Sequence, residues 1–383
     1  MIEYRQMWRA AAAVATSAML AACAVIPKAP VVAPPPAPPP PQAALPTDTG
    51  RHRVALLVPT SGPNAAAGQS LANAATMALM DLNATDLRIT TYDTGGGAAA
   101  AAAHAVAEGN RLILGPLLGE EAHDVAAVAQ RSHIPVISFS NDAQVAGDDL
   151  FVMGTIPAQS VARVVRYARA QGATRFAALV PVGVYGERVS NAMIAAVRAS
   201  GGQLVGMESY DRAGGTLAAA VRRLRARGPV DAVLVGDTAR MAAQAAPLIR
   251  VGNAQVHILG TELWNGDASV ARTPALSGAW YAALSDQRFR RFSETYKGRF
   301  GAAPYRIATM GYDSVLLSLR IARDWRPGTA FPTARLYDRG GFLGLDGIFR
   351  FSSNDVIERA LEVREAKGGA VRVASPAPAR FDD

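Results

Sequence analysis

Cysteine is almost missing from this chain. Its 383 residues include one, Cys23, so no intrachain disulfide can form and the fold must rest on its core. Aromatic residues make up 7% and charged residues 18% against 50% hydrophobic. A sizeable apolar core is therefore available without aromatic packing dominating it. After residue 22 no apolar run approaches the roughly 20 residues that cross a bilayer as a helix. Catalytic signatures are missing too: there is no G-x-S-x-G elbow, no H-E-x-x-H and no G-x-x-x-x-G-K-[ST]. The five histidines (52, 104, 123, 133 and 257) are scattered, and adjacent His123 and Asp124 diverge on a helix, so no metal spacing is present. We therefore expect no catalytic residue, no metal and no cofactor. The formal charge is +8, but the only dense basic cluster, Arg222 to Arg227, reads as a solvated helix face, and no nucleic-acid motif accompanies it.

What is present begins with a processing segment. Arg5 and Arg9 precede an apolar stretch, Ala10 to Ala22, of signal-peptide length. It ends in Leu20-Ala21-Ala22-Cys23, which resembles the bacterial lipoprotein signal. That resemblance implies removal of residues 1–22 and lipidation of Cys23, and Ala24 after it is similar to outer-membrane sorting patterns. The expected location is the periplasm, lipid-anchored at the inner leaflet of the outer membrane. Residues 23–50 carry Pro27, Pro30, Pro34 to Pro36, Pro38 to Pro41 and Pro46. They read as a polyproline II spacer reaching on the order of 80 Å from the anchor.

Beyond it, strand-like runs alternate with helix-like segments. The first is Val54–Val58, followed by the turn Pro59 to Pro63 and a helix that Asn64 is placed to cap. Further strands are expected at Leu87–Tyr92, Arg111–Leu114, Val136–Phe139, Phe176–Val180, Leu204–Tyr210, Ala232–Val235, Val256–Leu259, Ala279–Leu284 and Ile348–Phe351. Helices are expected at 98–108, 120–132, 158–171, 186–200, 215–227, 238–251 and 306–325. Such alternation argues for an α/β fold with parallel sheets, and its length exceeds one core. We expect two doubly wound lobes joined by a hinge that the chain crosses more than once. The first lobe takes 51–157 and about 285–328, the second 158–284 and about 329–366, leaving 367–383 as a tail.

The run Val54–Pro63, the stretch Leu112 to Pro116, Ile134-Pro135-Val136-Ile137-Ser138-Phe139-Ser140-Asn141, Tyr185-Gly186 and Gly311-Tyr312-Asp313 resemble the type I periplasmic binding fold, the leucine/isoleucine/valine-binding architecture. Ile113 to Leu118 and Ser138 to Asp142 are similar to one branch, the penicillin-binding protein activator lipoproteins, although the helical-repeat domain of the best-known activators is replaced here by the spacer. In doubly wound sheets ligands sit beyond the carboxyl ends of the strands. Those loops supply Ser61, Ser138, Ser140 and Asn141 from the first lobe, facing Tyr185, Asp237 and Glu262 from the second. The resemblance implies that the first set holds a ligand carboxylate and an acid of the second set holds an ammonium. Each of these residues would serve equally as a helix cap. Trp264 and Tyr281 would either stack on a ligand or fill the core. Gly95 to Ala100 fits G-x-G-x-x-A, but it follows the second strand rather than the first, so a plain strand-to-helix turn is expected in place of a dinucleotide site.

The leading expectation is a non-catalytic, membrane-tethered binding domain that regulates peptidoglycan synthesis through a penicillin-binding protein. The alternative is a receptor delivering an amino-acid-type solute to an ATP-driven importer. A periplasmic hydrolase ranks last, since no nucleophile–base pair can be assembled.

Overall fold

The computed structural model describes residues 50–381. The signal segment, Cys23 and the proline-rich spacer as far as residue 49 lie outside the described residues. The first lobe is built from β1 (His52–Val58), α1 (Ala65–Asp81), β2 (Leu87–Asp93), α2 (Ala98–Ala107), β3 (Leu112–Leu114), α3 (Gly119–Gln130), β4 (Val136–Ser138) and β5 (Leu150–Val152). Its strands lie in the order β2-β1-β3-β4-β5, every pair parallel. Val54 to Val58 are all essentially buried, which is why that run is apolar without alternation: helices cover both faces. Asn64 does precede α1, but its side chain makes no cap bond; its carbonyl accepts the N–H groups of Ala67 and Gly68 instead.

The second lobe repeats the plan with α4 (Pro157–Ala170), β6 (Arg175–Pro181), α5 (Val184–Ala199), β7 (Gln203–Tyr210), α6 (Leu217–Ala226), β8 (Ala232–Val235), α7 (Ala239–Ile249), β9 (His257–Gly260), the short α8 (Ser269–Arg272) and β10 (Trp280–Ala283). These strands run β7-β6-β8-β9-β10, the same second-first-third-fourth-fifth order as the first lobe. Ala177, Leu179, Val233 and Val235 point to one core, while Phe176, Ala178, Val180 and Leu234 point to another on the opposite face. That is the period-two signature of a sheet buried on both sides.

The remainder ties the lobes together. Helix α9 (Gln287–Phe300) and α10 (Ala308–Ala322) return to the first lobe. The sequence reading missed α9, yet Phe289, Phe292, Tyr296 and Phe300 recur at helical spacing, and this stripe packs with Ala74 and Met77 of α1. A small antiparallel sheet follows, made of β11 (Phe342–Gly344), β12 (Gly347–Phe351) and β13 (Ile357–Arg359). Assigning 329–366 to the second lobe is corrected here: Phe331, Leu336, Phe342, Phe349, Phe351 and Ile357 all join the first lobe's core. Only β14 (Glu362–Lys367) returns to the second sheet, antiparallel to β10. Residues 367–383 are not merely a tail, because β15 (Ala370–Ser375) pairs with β14 along that sheet's edge.

The chain thus crosses between lobes three times, near residues 153–157, 284–287 and 359–362. The crossings bond to one another. Arg359 donates to the Met153 carbonyl at 2.8 Å, its N–H donates to Gln159 Oε1 at 3.0 Å, and Arg364 donates to the Leu284 carbonyl at 2.9 Å.

Candidate ligand cleft

In each lobe the strand order reverses between the first and third strands of the doubly wound unit, and the crevice at such a switch point opens at the strands' carboxyl ends. On the first lobe that point is ringed by the loops after β1 and β3, on the second by the loops after β6 and β8. Of the candidate residues from the sequence reading, Ser61, Tyr185 and Asp237 follow β1, β6 and β8, while Ser138, Ser140 and Asn141 stand at the end of β4 and Glu262 follows β9; the structure gives each an internal partner.

Asp93, at the end of β2, organises the first rim. It accepts the N–H groups of Thr60 and Gly95 at 2.7 and 2.9 Å and the Ser61 hydroxyl at 2.6 Å. These bonds, the Ser61 hydroxyl foremost, hold its carboxyl far below the usual range. The same packing accounts for the glycine run. A Cβ on Gly95 would lie 2.3 Å from Ser61 Oγ, so Gly95 answers to loop packing without any call for a phosphate. Ser138 and Ser140 are buried. Ser138 Oγ donates to the Pro116 carbonyl at 3.0 Å and accepts the Ser140 N–H, while Ser140 Oγ accepts the Asp142 N–H. Both hydroxyls shape the loop after β4.

The second rim holds two linked clusters. Glu262 accepts from Ser160 and, at 2.8 Å, from the Tyr185 hydroxyl, which also shares a 2.9 Å bond with Thr261. Burial pushes the Glu262 carboxyl up, and burial beside Glu262 pushes the Tyr185 phenol up. Asp237 is fully buried. It accepts Tyr210 Oη at 2.6 Å, Arg212 through a fork at 2.8 and 2.9 Å, and the Thr238 N–H at 2.7 Å. Asp237 thereby leaves no free acid for a ligand ammonium unless Arg212 moves away. Trp264 is core: its indole N–H donates to the Asp237 carbonyl and its ring lies against Gly260 and Tyr281. Around these polar clusters Val182, Val184 and Leu263 stand exposed, at 67, 61 and 39%, giving the second rim an apolar lip.

One contact spans the two rims. Arg188, on the first turns of α5, donates to Asn141 Oδ1 at 3.1 Å and pairs with the Asp142 carboxylate. Arg212 and Tyr210 escaped the sequence reading because the loop after β7 was not counted among the ligand-side loops, although strand order alone places it there; Arg188 escaped it because it lies two residues beyond the counted loop 181–186, on α5. The ion pair is partly solvent-exposed, so it contributes little, of order 1 kcal/mol or less. That is enough to bias the balance between open and closed lobes. Arg188→Ala is therefore expected to enlarge the radius of gyration seen by small-angle scattering at low salt. The parent should approach the variant's value as salt rises, and the variant should stay constant. Equal radii at every salt concentration would remove the latch.

No group of three or more His, Cys, Asp or Glu placed to hold a metal occurs among the described residues. The fold defines a class: two α/β lobes joined by three chain crossings, with their switch points opposed. The chain belongs to the periplasmic binding protein family, whose model matches residues 52–367, and its fold is of type I. It is similar to a putative branched-chain amino acid ABC transporter protein from Rhodospirillum rubrum (TM-score 0.73, 20% identity, covering 84% of this chain and 99% of that one). It also resembles a leucine binding protein from Thermotoga maritima (TM-score 0.62, 20%, 85% and 98%). A third similar structure is a solute binding protein of an ABC transporter from Rhodopseudomonas palustris in complex with 3,4-dihydroxybenzoic acid (TM-score 0.62, 18%, 87% and 98%). A Rickettsia prowazekii (strain Madrid E) protein described as uncharacterized is 31% identical over 142 residues, which is 37% of this chain and 38% of that protein.

Proposed function

We propose that this protein is a solute receptor that closes its lobes on a small molecule and presents it to an ATP-driven importer. The observation carrying this reading is the opposition of two switch points with a latch between them, Arg188 to Asp142. A ligand that adds to that pair gains contacts with both lobes at once and so favours closure. The structural relatives support a solute role, since one is described as a leucine binding protein and another is in complex with 3,4-dihydroxybenzoic acid. The apolar lip at Val182, Val184 and Leu263 fits a solute with an apolar body. Tethering through a lipidated Cys23 at the outer membrane belongs to the same proposal, and its check is the acyl mass on Cys23 in chain extracted from membranes.

Calorimetry against branched-chain and aromatic amino acids and aromatic carboxylates is the test. Binding by one of them should also raise unfolding stability, by about 2.7 kcal/mol at a hundredfold excess over Kd, and should weaken in Arg188→Ala. Ser138→Ala is a poor probe, because its hydroxyl supports the Pro116 loop. If none of these compounds binds, the receptor reading falls. The second reading, a regulator of peptidoglycan synthesis that contacts a penicillin-binding protein, draws on one observation: Ser61, Ser138, Ser140, Asn141, Tyr185, Asp237 and Glu262 are all bonded within the chain. Recovery of a transpeptidase with the tethered chain, in the absence of solute binding, would favour it.

A further inference from the structure

Beyond β15 the segment Pro376-Ala377-Pro378-Ala379-Arg380-Phe381 leaves the second lobe. Its start is clamped there. The Arg163 guanidinium, on α4, donates to Ser375 Oγ at 2.6 Å and to the carbonyls of Ser375 and Pro376 at 3.5 and 3.3 Å. Its far end rests on the first lobe. The Arg350 guanidinium carbon lies 4.6 Å from the centre of the Phe381 ring, a cation–π geometry. The ring also sits against Gly341, where a Cβ would come within 3.2 Å of it. Arg350 is itself steadied by Glu358 at 2.8 Å, and its strand β12 sends Phe349 and Phe351 into the first lobe's core.

These six residues therefore join the lobes alongside the third crossing, where Arg163 also donates to the Leu361 carbonyl at 2.9 Å and Glu358, the partner of Arg350, stands one residue before it. Fully extended at about 3.1 Å per residue they would reach on the order of 19 Å; Pro376 and Pro378 stiffen the first half, and the backbone bends at Ala379 and Arg380. Once that bend is drawn straight the segment cannot lengthen further, and a wider parting of the lobes must release one of its attachments.

We propose that residues 376–381 form a strap that limits separation of the lobes, with Phe381 under Arg350 as its releasable anchor. Opening past the strap's reach costs the ring contact, so the strap sets how far the cleft opens in the absence of solute. The proposal does not depend on the identity of any ligand, or on there being one.

Pulsed electron paramagnetic resonance tests it without solute. Spin labels are placed at exposed Ala66→Cys on the first lobe and exposed Ala213→Cys on the second, in full-length chain carrying Cys23→Ser. Phe381→Ala, and separately a chain ended after Ser375, should add a longer inter-label distance and raise the open-to-closed ratio about threefold to tenfold. Phe381→Trp should restore the parental distribution. Identical distributions in the parent, Phe381→Ala and the shortened chain would overturn the strap, as would a shift seen only in the shortened chain. Should the shortened chain fail to fold, Phe381→Ala and Phe381→Trp decide alone.

Discussion

Above pH 7, Asp313→Asn is expected to make the domain more stable than the parent, on the order of 2–4 kcal/mol. Asp313 lies on α10 and is completely buried. One carboxylate oxygen accepts the Leu345 N–H at 2.8 Å, and the other has no partner. Gly344 is pressed against the carboxylate so closely that a Cβ there would be 2.3 Å from it. Asp346 faces it, held by Arg306 and by the Thr309 hydroxyl, and Arg359 and Arg306 lie near enough to favour its charge. Burial, followed by the Asp346 charge, pushes the Asp313 carboxyl up to about 7. The direction of the effect follows from that. The folded state holds a proton that the unfolded state releases at its ordinary, lower value, so stability falls as pH rises from about 4 to about 7. Asparagine keeps the acceptor for Leu345 and carries no charge. Urea titrations at pH 5.5 and pH 8 check this: the advantage of the variant should appear at pH 8 and shrink at pH 5.5. Equal advantage at both values would assign the effect to packing.

Gly186→Ala should destabilise the second lobe by about 2–4 kcal/mol, read as a fall in Tm of roughly 5–15 °C. A Cβ on Gly186 would stand 1.7 Å from the Pro181 carbonyl oxygen. Neither group can yield, since one belongs to the end of β6 and the other to the first turn of α5. The first lobe repeats the arrangement, with Gly68 of α1 placed so that a Cβ would be 1.8 Å from the Pro59 oxygen. In both lobes a proline ends the first strand and a glycine lets the next helix settle onto that carbonyl. Gly96→Ala is the control: nothing lies within 4 Å of its added carbon, so its effect should stay within about 0.5 kcal/mol. A Gly186→Ala protein as stable as the control would mean that the helix shifts freely, and the rim geometry argued above would fail with it.

Much of this was legible in one dimension. Each of the ten expected strands exists. Most are buried on both faces and so are short, continuous apolar runs that stand out between Ala-rich helices, while β2 and β7 lie at sheet edges and are only half-buried. The same periodicity located the helices from 98 to 325, apart from the four-residue α8 and from α9. That helix shows how amphipathicity can be masked: its four aromatic residues are correctly spaced, but Arg288, Arg290, Arg291, Lys297 and Arg299 dilute them. Short β5, β11, β13, β14 and β15 were also missed. Three of them have three residues each, too few for a period to show.

The candidate site was legible as positions and not as roles. Carboxyl-end loops follow from strand order, so Ser61, Ser138, Asp237 and Glu262 could be placed at a rim. What each side chain touches depends on residues far away in the chain: Asp93 takes Ser61, Pro116 takes Ser138, Arg212 takes Asp237, and Ser160 and Tyr185 take Glu262. The sequence by itself determined the two-lobed α/β architecture, because burial on both faces leaves a pattern local enough to read. Tertiary structure alone decided which lobe claims residues 329–375, which hydroxyls remain for a ligand, and that Arg188 meets Asp142 across the opening. Those outcomes are settled by contacts between segments tens to hundreds of residues apart, and a one-dimensional pattern carries no record of them.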